Sequence, residues 1–485
     1  MTLKDKAVSG LLWNFSGSFA NQFISLFIGI ILARLLGPRE YGLVGMVTIF
    51  TVLAQPFINS GFSQSLIRKK NCSQADYSTV FIFNLLIGVL FYLLLFLSAP
   101  VISDFFNEPQ LVLLVRVVGI IIIIEALNLI QRTILTKQID FKLQTKISII
   151  SSFISGIVGI SLAFYGFGVW SLVFRTLAQQ IISSSLLWLS SKWKPSLIFR
   201  YATLKEHFSF GSKLLINGII DKVYYNIYNI VIAKFFLARE LGLFSRGEMF
   251  KNFIAQNISE IVAGVAFPVL SNMKDEPVKL KSAYKRFFLN TMFLTSTILF
   301  SLVVVAEPFV ITVIGEQWED SIIYMQLLCI VGVFYPIHPL TRNVFYVYGK
   351  SSLVLGLGIM SKSLAVPSIL VGIFFGIKYM LMGMIISSIT EFFIKAFFLG
   401  KLIKYSLKEQ INDLMPSFIL AIVVSFTMLI FRTVAINNQL MLLIIQVTTG
   451  TIIFIVISEL FKLREYIELK FIFYSKIKTL KFHYR

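Results

Sequence analysis

The chain alternates between long apolar segments and short polar ones from end to end. Each apolar segment has about 20 residues or more, enough to cross the roughly 30 Å hydrocarbon core of a bilayer as a helix. The pattern predicts fourteen spans, near residues 11–36, 42–64, 79–103, 111–135, 147–166, 169–191, 209–233, 241–270, 286–306, 319–342, 352–375, 379–400, 414–436 and 439–461. The predicted fold class is therefore all-α: a polytopic membrane protein with about 14 transmembrane helices.

Composition supports a membrane protein and narrows its chemistry. Hydrophobic residues make up 57% of the 485, charged residues only 14%, and the mean hydropathy is +0.83, values that exclude a soluble globular domain. The first span is too long for a signal peptide and lacks a cleavage site, so we expect it to remain as an anchor. The two cysteines and three histidines share no metal-ligand spacing, and neither a metal nor a cofactor is predicted.

The net charge of +20 reflects membrane topology rather than nucleic-acid binding. Lys and Arg concentrate in alternate polar segments, which hold 28 of the 44 in the chain: the N-terminus, 65–78, 136–146, 192–207, 271–286, 343–352, 401–413 and the tail from 462. Opposite loops carry acids instead, including Asp104, Glu108 and Glu307. Because basic loops stay in the cytoplasm, both termini are predicted to be cytoplasmic.

A sequence repeat links two distant parts of the chain. The stretch IILARLLGPREYGL begins at Ile30, and IVIAKFFLARELGL begins at Ile230. Aligned at this offset of 200 residues, positions 30–50 and 230–250 are identical at seven of 21 places. Helix pairs joined by a glycine-containing turn can look alike by chance, but here the charged positions match as well.

The repeat predicts how the helices are grouped. Six predicted helices separate the two copies, so both copies enter the membrane from the same side. This is a parallel repeat about an axis along the membrane normal, as in transporters with two bundles around a central site. We predict a six-helix bundle in residues 1–206, a pseudo-twofold-related six-helix bundle in 207–404, and two additional helices with a basic tail in 405–485.

The N-terminal motifs also carry a family resemblance. The runs KAVSGLLWNF, ILARLLGPREYGLVGM and GFSQSLIRKK resemble the polysaccharide transporter branch of the multidrug/oligosaccharidyl-lipid/polysaccharide exporter superfamily, the O-antigen or colanic-acid type of lipid-linked oligosaccharide flippase. The resemblance implies transfer of a polyprenyl-diphosphate-linked oligosaccharide across the bacterial inner membrane. It covers the whole chain in helix number, but the sharpest motif lies in about the first 70 residues.

The predicted seventh span, residues 209–233, is the most polar one. Its aliphatic residues occupy one arc of the helical wheel, and polar or aromatic residues fill the rest. A charge near the bilayer centre is costly, so it marks a cavity or an ion pair unless it reaches the headgroups. Tyrosines beside Asn and Lys suit sugar rings, while cations suit a diphosphate. The predicted cavity residues in this and the next span are Asn217, Lys222, Tyr224, Tyr225, Tyr228, Lys251 and Arg246, with Arg246 on a different face of its helix. Packing of the tyrosines as ordinary core is the alternative.

Acidic residues inside the spans are candidates for binding a coupling ion: Asp221, Glu125, Glu248 and Glu391. Glu391 and Lys395 stand at i and i+4, so mutual neutralisation is an alternative for Glu391. Arg132 lies close enough to the end of its span to reach the headgroups.

We predict a transporter, not an enzyme, that moves a lipid-linked repeat unit of lipopolysaccharide or exopolysaccharide by alternating access. Its expected partners are that substrate, membrane lipids and a polysaccharide polymerase or glycosyltransferase, with no nucleic acid. A multidrug exporter of the same superfamily is one alternative. A membrane enzyme of polysaccharide assembly is another, but the short external loops leave little room for catalytic carboxylates.

Overall fold

A computed structural model describes residues 3–59, 61–433 and 438–471, and within these ranges the chain is helical without a β-strand. It divides into two compact units, residues 1–242 (unit 1) and 243–485 (unit 2). Unit 1 contains α1 (Leu3–Leu35), α2 (Pro38–Asn59), α3 (Phe62–Arg68), α4 (Gln74–Phe106), α5 (Leu111–Val118), α6 (Ile120–Lys137), α7 (Phe141–Phe164), α8 (Val169–Ser190), α9 (Tyr201–Tyr225) and α10 (Ile227–Phe235).

The next helix, α11 (Ala238–Asn272), begins in unit 1 and continues into unit 2. Unit 2 also contains α12 (Pro277–Val313), α13 (Ser321–Val333), α14 (Ile337–Val347), α15 (Ser351–Phe375), α16 (Ile377–Ile403), α17 (Leu407–Thr433) and α18 (Gln439–Leu460). The division at 242 differs from the predicted repeat boundary at 206, which concerns sequence duplication and stays a prediction.

Twelve segments of the described chain are long and apolar enough to span a membrane, against fourteen predicted. The two missing spans correspond to α8 and to α9 with α10. Both regions are helical, but α8 carries Arg175, Gln179 and Gln180, and α9 carries Asp221 and Lys222. The count of fourteen is therefore not confirmed, because polar side chains lower the apolar character of these two regions.

Several spans are broken near their middle. In unit 2, Pro336 separates α13 from α14, because proline cannot donate a backbone hydrogen bond within a helix. Pro367, by contrast, lies inside the continuous helix α15. The Pro336 break sets the direction of α14 and so positions the polar residues at its start.

Close helix packing defines unit 1. A Cβ added to Gly17 of α1 would overlap the side chain of Thr145 in α7, and one added to Gly156 of α7 would overlap Ile28. The absence of a side chain at both glycines lets α1 lie directly against α7 along much of its length. This approach fixes the wall of a cavity described below.

Unit 2 has an aromatic core on α12. Tyr284 and Phe288 are fully buried and stacked, with ring centroids 5.6 Å apart. The Tyr284 hydroxyl lies 3.2 Å from the hydroxyl oxygen of Thr341 in α14, so its polar atom is satisfied inside the core. Tyr405 meets Tyr284 edge to face at 6.4 Å.

Charged networks tie helix ends together at the basic side of each unit. In unit 1, Lys69 bonds Asp76 at 3.0 Å and Glu206 at 3.2 Å. The Asp76 hydrogen bond raises the pKa of Lys69, so this ammonium stays charged. In unit 2, Lys281 bonds Glu409 at 2.7 Å.

The repeated sequence forms a reciprocal contact within residues 1–242. A Cβ on Gly42 would overlap the carbonyl oxygen of Ala238, and a Cβ on Gly242 would overlap the carbonyl oxygen of Pro38. In the repeat, Ala238 is equivalent to Pro38 and Gly242 is equivalent to Gly42. Each glycine therefore contacts the residue that is equivalent to position 38 in the other copy. Such reciprocity is what a two-fold relation between the repeat copies produces, and both glycines are required for the close backbone approach.

Candidate functional site

An acidic residue in the middle of unit 1 is surrounded by polar groups from three helices. The Gln55 side chain of α2 donates a hydrogen bond to the Glu125 carboxylate of α6 at 3.4 Å. Arg132, two turns further along α6, and Lys222 of α9 lie within electrostatic range of the same carboxylate. The fold therefore brings a predicted coupling residue and a predicted substrate cation into one neighbourhood.

Lys222 and Arg132 differ from most of the intramembrane cations in how their charges are balanced. Among the described residues, neither side chain has a hydrogen bond or an ion pair within 4.0 Å. Glu125 attracts both from a longer distance. Unsatisfied donors inside a membrane protein are costly, so these two cations are available to an anionic ligand.

The helix that carries Lys222 is interrupted one turn later. The α9 helix ends at Tyr225 and α10 begins at Ile227, with Asn226 between them. The Asn226 amide side chain donates to the Lys222 carbonyl oxygen at 2.9 Å, competing with the regular helical ladder. The predicted continuous span is therefore two helices, although the backbone hydrogen bonds from the Asn226 N–H to the Lys222 carbonyl oxygen (3.2 Å) and from the Ile230 N–H to the Asn226 carbonyl oxygen (2.9 Å) keep the helical spacing across the break.

The aromatic candidates lie around this break. Tyr225 is more than half exposed, whereas Tyr224 and Tyr228 are half-buried. Asp221 is exposed at the surface of unit 1. The Asn217 side chain lies outside the described residues. Exposure of Tyr225 and Asp221 is compatible with a wet face, and their predicted roles remain predictions.

In unit 2, two candidates form an ion pair with each other. The Lys251 ammonium lies 3.7 Å from the Glu248 carboxylate, one turn away on α11. The Lys251 stem packs against α13, where a Cβ on Gly332 would lie 2.8 Å from Lys251 Cγ. Lys251 is thus held between α11 and α13, and its charge is already balanced.

Arg246 has a more buried setting than the other candidate cations. Its side chain is 5% exposed, and its guanidinium carbon lies 5.3 Å from the ring centroid of Trp318. One guanidinium nitrogen is 3.3 Å from the Met249 sulfur. A cation over an aromatic face is a stabilising arrangement, consistent with the different wheel position predicted for Arg246.

A group of polar and charged side chains within the apolar spans of unit 2 comprises His338, Ser361, Glu391 and Lys395, and we call it the Glu391 cluster. Glu391 of α16 accepts hydrogen bonds from Lys395 at 2.6 Å and from the Ser361 hydroxyl of α15. His338 Nδ1 lies 3.4 Å from Glu391 and 2.8 Å from the Lys395 ammonium. A carboxylate, an ammonium and an imidazole therefore share one site.

This cluster lies deep in the apolar part of the chain. Glu391 is twelve residues from the end of α16 at Ile403, about 18 Å at 1.5 Å per residue. Prolines at 336 and 339 flank His338, so the start of α14 presents the imidazole at this depth. Close by, Arg342 lies 3.8 Å from Glu260, and Tyr335 also donates to Glu260 at 3.2 Å. Groups that exchange a proton at this depth are typical of coupling sites.

The sequence indicated some of this arrangement and missed the rest. The i,i+4 spacing predicted the Glu391–Lys395 pair, which is present. The contact of His338 with Glu391 was not predicted, although an imidazole between two prolines in an apolar span is a usable signal. Arg132, which lies close to the end of its predicted span, also lines a polar cavity. No helical wheel reveals a partner on another helix.

Residues 31–323 match the family described as polysaccharide biosynthesis protein. The match covers more than half of the chain. The chain belongs to this family. Relatives of this family member include the teichuronic acid biosynthesis protein TuaB of Bacillus subtilis, 26% identical over 73% of both chains. The lipopolysaccharide biosynthesis protein WzxC of Escherichia coli is 23% identical over 77% of this chain and 76% of the relative.

Solved structures share the fold of this family member. The lipid II flippase MurJ, in an inward closed conformation, matches with a TM-score of 0.76 at 14% identity, covering 93% of this chain and 99% of the other. An inward-facing multidrug resistance MATE family transporter of the MOP superfamily matches with a TM-score of 0.62 at 17% identity, covering 80% and 96%. The predicted family and the all-α transporter fold are therefore confirmed, and the protein is a multi-pass membrane protein.

Proposed function

We propose that this protein moves a polyprenyl-diphosphate-linked oligosaccharide, the repeat unit of a cell-surface polysaccharide, across the bacterial cytoplasmic membrane. The observation that carries the proposal is membership of the polysaccharide biosynthesis protein family in a chain with the fold of a lipid II flippase. A relative in Rhizobium meliloti, 24% identical over 62% of this chain and 61% of the relative, is named succinoglycan biosynthesis transport protein ExoT. The prenyl tail would stay in lipid while the polar headgroup crosses through the protein.

The proposed movement is alternating access between the repeat bundles, residues 1–206 and 207–404, with both termini in the cytoplasm. Residues 405–485 add two helices to this pair. Membrane lipids surround the protein, and a polysaccharide polymerase or glycosyltransferase would use the translocated unit. Consumption of the product on the far side would help to drive transport forward.

Lys222 is the proposed contact for the substrate diphosphate. Its ammonium has no ion pair among the described residues, and a charge-assisted hydrogen bond to a phosphate would satisfy it. Lys251 would first have to leave Glu248, and Arg246 would have to leave the Trp318 face. We therefore assign these two cations to supporting roles, with Asn217 and the tyrosines at 224, 225 and 228 facing the sugar.

The Glu391 cluster is the proposed site for the coupling ion. Its carboxylate is shared by a hydroxyl, an ammonium and an imidazole, so gaining or losing a proton would redistribute these bonds. Asp221, Glu125 and Glu248 are the other acidic candidates. A proton or sodium ion bound at one of them would favour one conformation over the other.

The multidrug exporter is the alternative within the same fold. A site for a cationic drug favours acids and aromatic faces, whereas Lys222 and Arg132 of unit 1 have no ion pair among the described residues. Cations in that position suit an anionic substrate. The fold shared with transporters and the short polar loops disfavour the enzyme alternative.

The test is transport by the purified protein in vesicles. One assay follows a fluorescent polyprenyl-diphosphate-linked saccharide, and a parallel assay follows the cationic dye ethidium. We expect the wild type to move the saccharide lipid, and Lys222→Gln to reduce its rate about tenfold because one charge-assisted contact is lost. Lys222→Arg should be milder.

Export of the surface glycan in cells provides the second measurement. The double variant Lys222→Gln, Lys251→Gln should lose export while its protein level stays near normal. Unimpaired export by this variant would remove diphosphate capture by these lysines. Transport of ethidium without transport of the saccharide lipid would contradict the proposed function itself.

A further inference from the structure

Unit 1 also contains a polar cavity, which shares Arg132 with the Glu125 neighbourhood. Its volume is about 300 Å³, and α1, α6, α7 and α8 form its walls. Ten of the fourteen residues that line it are polar, among them Asn21, Arg132, Gln144, Gln179, Gln180 and Ser183. We call this cavity the glutamine pocket. A polar cavity among membrane helices must hold water or a polar ligand, because lipid cannot form hydrogen bonds with the side chains that line it.

One wall of the glutamine pocket is held in place by hydrogen bonds around Ser152 of α7. The Ser152 hydroxyl lies 2.5 Å from the Asn21 side-chain oxygen of α1, and the Gln179 amide of α8 donates to Ser152 at 3.2 Å. Gly17 lets α1 approach α7 closely enough for this network. The amide side chains of α1 and α8 are thus held in a fixed arrangement by a hydroxyl of α7, as a preformed binding site requires.

Other groups in the pocket have no partner within the part of the chain that the structure describes. These are the Arg132 guanidinium, the Gln180 amide and the Ser183 hydroxyl. Ser183 is 8% exposed, Gln180 is half-buried and Arg132 is exposed, so a ligand that enters the cavity can reach all three side chains. A ligand with complementary groups would make hydrogen bonds to all three side chains.

The lining indicates the chemistry of that ligand. Amide and hydroxyl side chains both donate and accept hydrogen bonds, as sugar hydroxyls do, whereas phosphate oxygens accept only. Arg132 is the one cation among the residues that line the cavity, and no acid lines it. The volume equals about ten waters at ~30 Å³ each, which suits a group the size of a monosaccharide. We infer that the glutamine pocket binds a single sugar residue bearing one carboxylate, with Arg132 pairing the carboxylate.

The position of the pocket gives this binding a place in transport. Arg132 is five residues from the end of α6 at Lys137, and Gln144 lies in the first turn of α7. The pocket therefore reaches the basic end of unit 1, the predicted cytoplasmic side. The inference rests on the proposed function, since a lipid-linked glycan made in the cytoplasm would present its sugars there.

The experiment measures binding by the purified full-length protein in lipid nanodiscs. Thermal unfolding is followed with glucuronate, glucose or pyrophosphate, because a ligand that binds the folded state raises the melting temperature. We expect glucuronate to stabilise most, glucose less, and pyrophosphate not at all. Arg132→Gln should weaken the binding of glucuronate about tenfold and leave the binding of glucose unchanged. Gln180→Leu should weaken the binding of both sugars about fivefold.

Matched controls are Arg116→Gln and Gln138→Leu, which remove the same side chains outside the pocket lining. Both should bind glucuronate as the wild type does. Melting temperatures without ligand identify any variant that fails to fold, and Gln180→Glu, which should repel the carboxylate, then provides a second test. Stabilisation by pyrophosphate that Arg132→Gln abolishes would instead make the pocket a diphosphate site and overturn the inference.

The binding and transport assays separate this inference from the proposed function. A wild-type protein that moves the saccharide lipid but gains no stability from glucuronate would refute the sugar-acid site alone. A wild-type protein that binds glucuronate but moves no saccharide lipid would refute the proposed function alone. Effects of Arg132→Gln on both assays would support both.

Discussion

The glutamine pocket in unit 1 and the Glu391 cluster in unit 2 use intramembrane charge in opposite ways. In the pocket, Arg132 has no ion-pair partner among the described residues, and neutral amides and hydroxyls surround the cavity. In the cluster, Glu391 and Lys395 are 2.6 Å apart, and His338 contacts both. One site has unsatisfied groups around a cavity, and the other has satisfied groups around a carboxylate.

The difference distinguishes a charge that can bind a ligand from a charge that is already neutralised by a neighbour. A charge without a partner can bind a ligand, because the ligand supplies the missing hydrogen bonds. A paired charge contributes to the fold, and it changes state only when a proton or ion alters the pairing. The sequence alone cannot make this distinction, since Arg132 and Lys395 are both cations inside apolar spans.

Stability should show the largest difference between the two sites. Glu391→Gln leaves Lys395 without its counter-charge inside unit 2, which we expect to cost about 3 kcal/mol in the free energy of unfolding. Arg132→Gln breaks no ion pair and should stay within about 0.5 kcal/mol of the wild type. Thermal unfolding in nanodiscs, with all proteins in the same lipid, measures both changes.

The double variant Glu391→Gln, Lys395→Gln is the control for charge imbalance. Removing both charges should restore part of the stability that the single change loses. If Glu391→Gln and Arg132→Gln proved equally stable, the Glu391 cluster would not be a balanced charge site and the comparison would fail.

Gradient dependence should separate capture from coupling at the adjacent pair Asp221 and Lys222. These side chains do not face each other on α9, because i and i+1 neighbours project about 100° apart. In vesicles with imposed proton or sodium gradients, Asp221→Asn should blunt the response to the gradient more than the affinity for the saccharide lipid. Lys222→Gln should do the reverse. Identical profiles would mean that both residues serve one structural network.

If Asp221→Asn leaves the gradient response intact, the same assay with the Glu391→Gln, Lys395→Gln double variant decides whether coupling lies in unit 2. Loss of gradient response in that variant, with saccharide binding retained, would assign coupling to the Glu391 cluster. Retention of the response in both variants would contradict a coupling role for Asp221 and for Glu391.

The smallest effect concerns the side to which the glutamine pocket opens. Cys72 lies at the same end of unit 1, where its sulfur is 3.0 Å from the Lys137 ammonium at the end of α6. If this end is cytoplasmic, an impermeant thiol reagent added to intact cells with permeabilised outer barriers should not label Cys72. Labelling after membrane disruption is the positive control, and labelling in intact cells would invert the topology.

The sequence by itself determined the broad architecture. Apolar segments of about 20 residues leave no stable alternative to membrane helices, because backbone groups must be satisfied within each segment. The N-terminal motifs predicted the family, which the match over residues 31–323 confirms. The i,i+4 spacing was enough to predict the Glu391–Lys395 pair.

Tertiary structure decided which polar residues meet across helices. Ser152 joins Asn21 and Gln179, which are 131 and 27 residues away in sequence, and His338 reaches Glu391 of another helix. Helix periodicity specifies the face on which a residue lies but not the neighbour that face will meet, because packing depends on small residues such as Gly17 throughout the bundle. The same sequence signal, a cation in an apolar span, therefore became an ion pair at Lys395 and an unpaired group at Arg132.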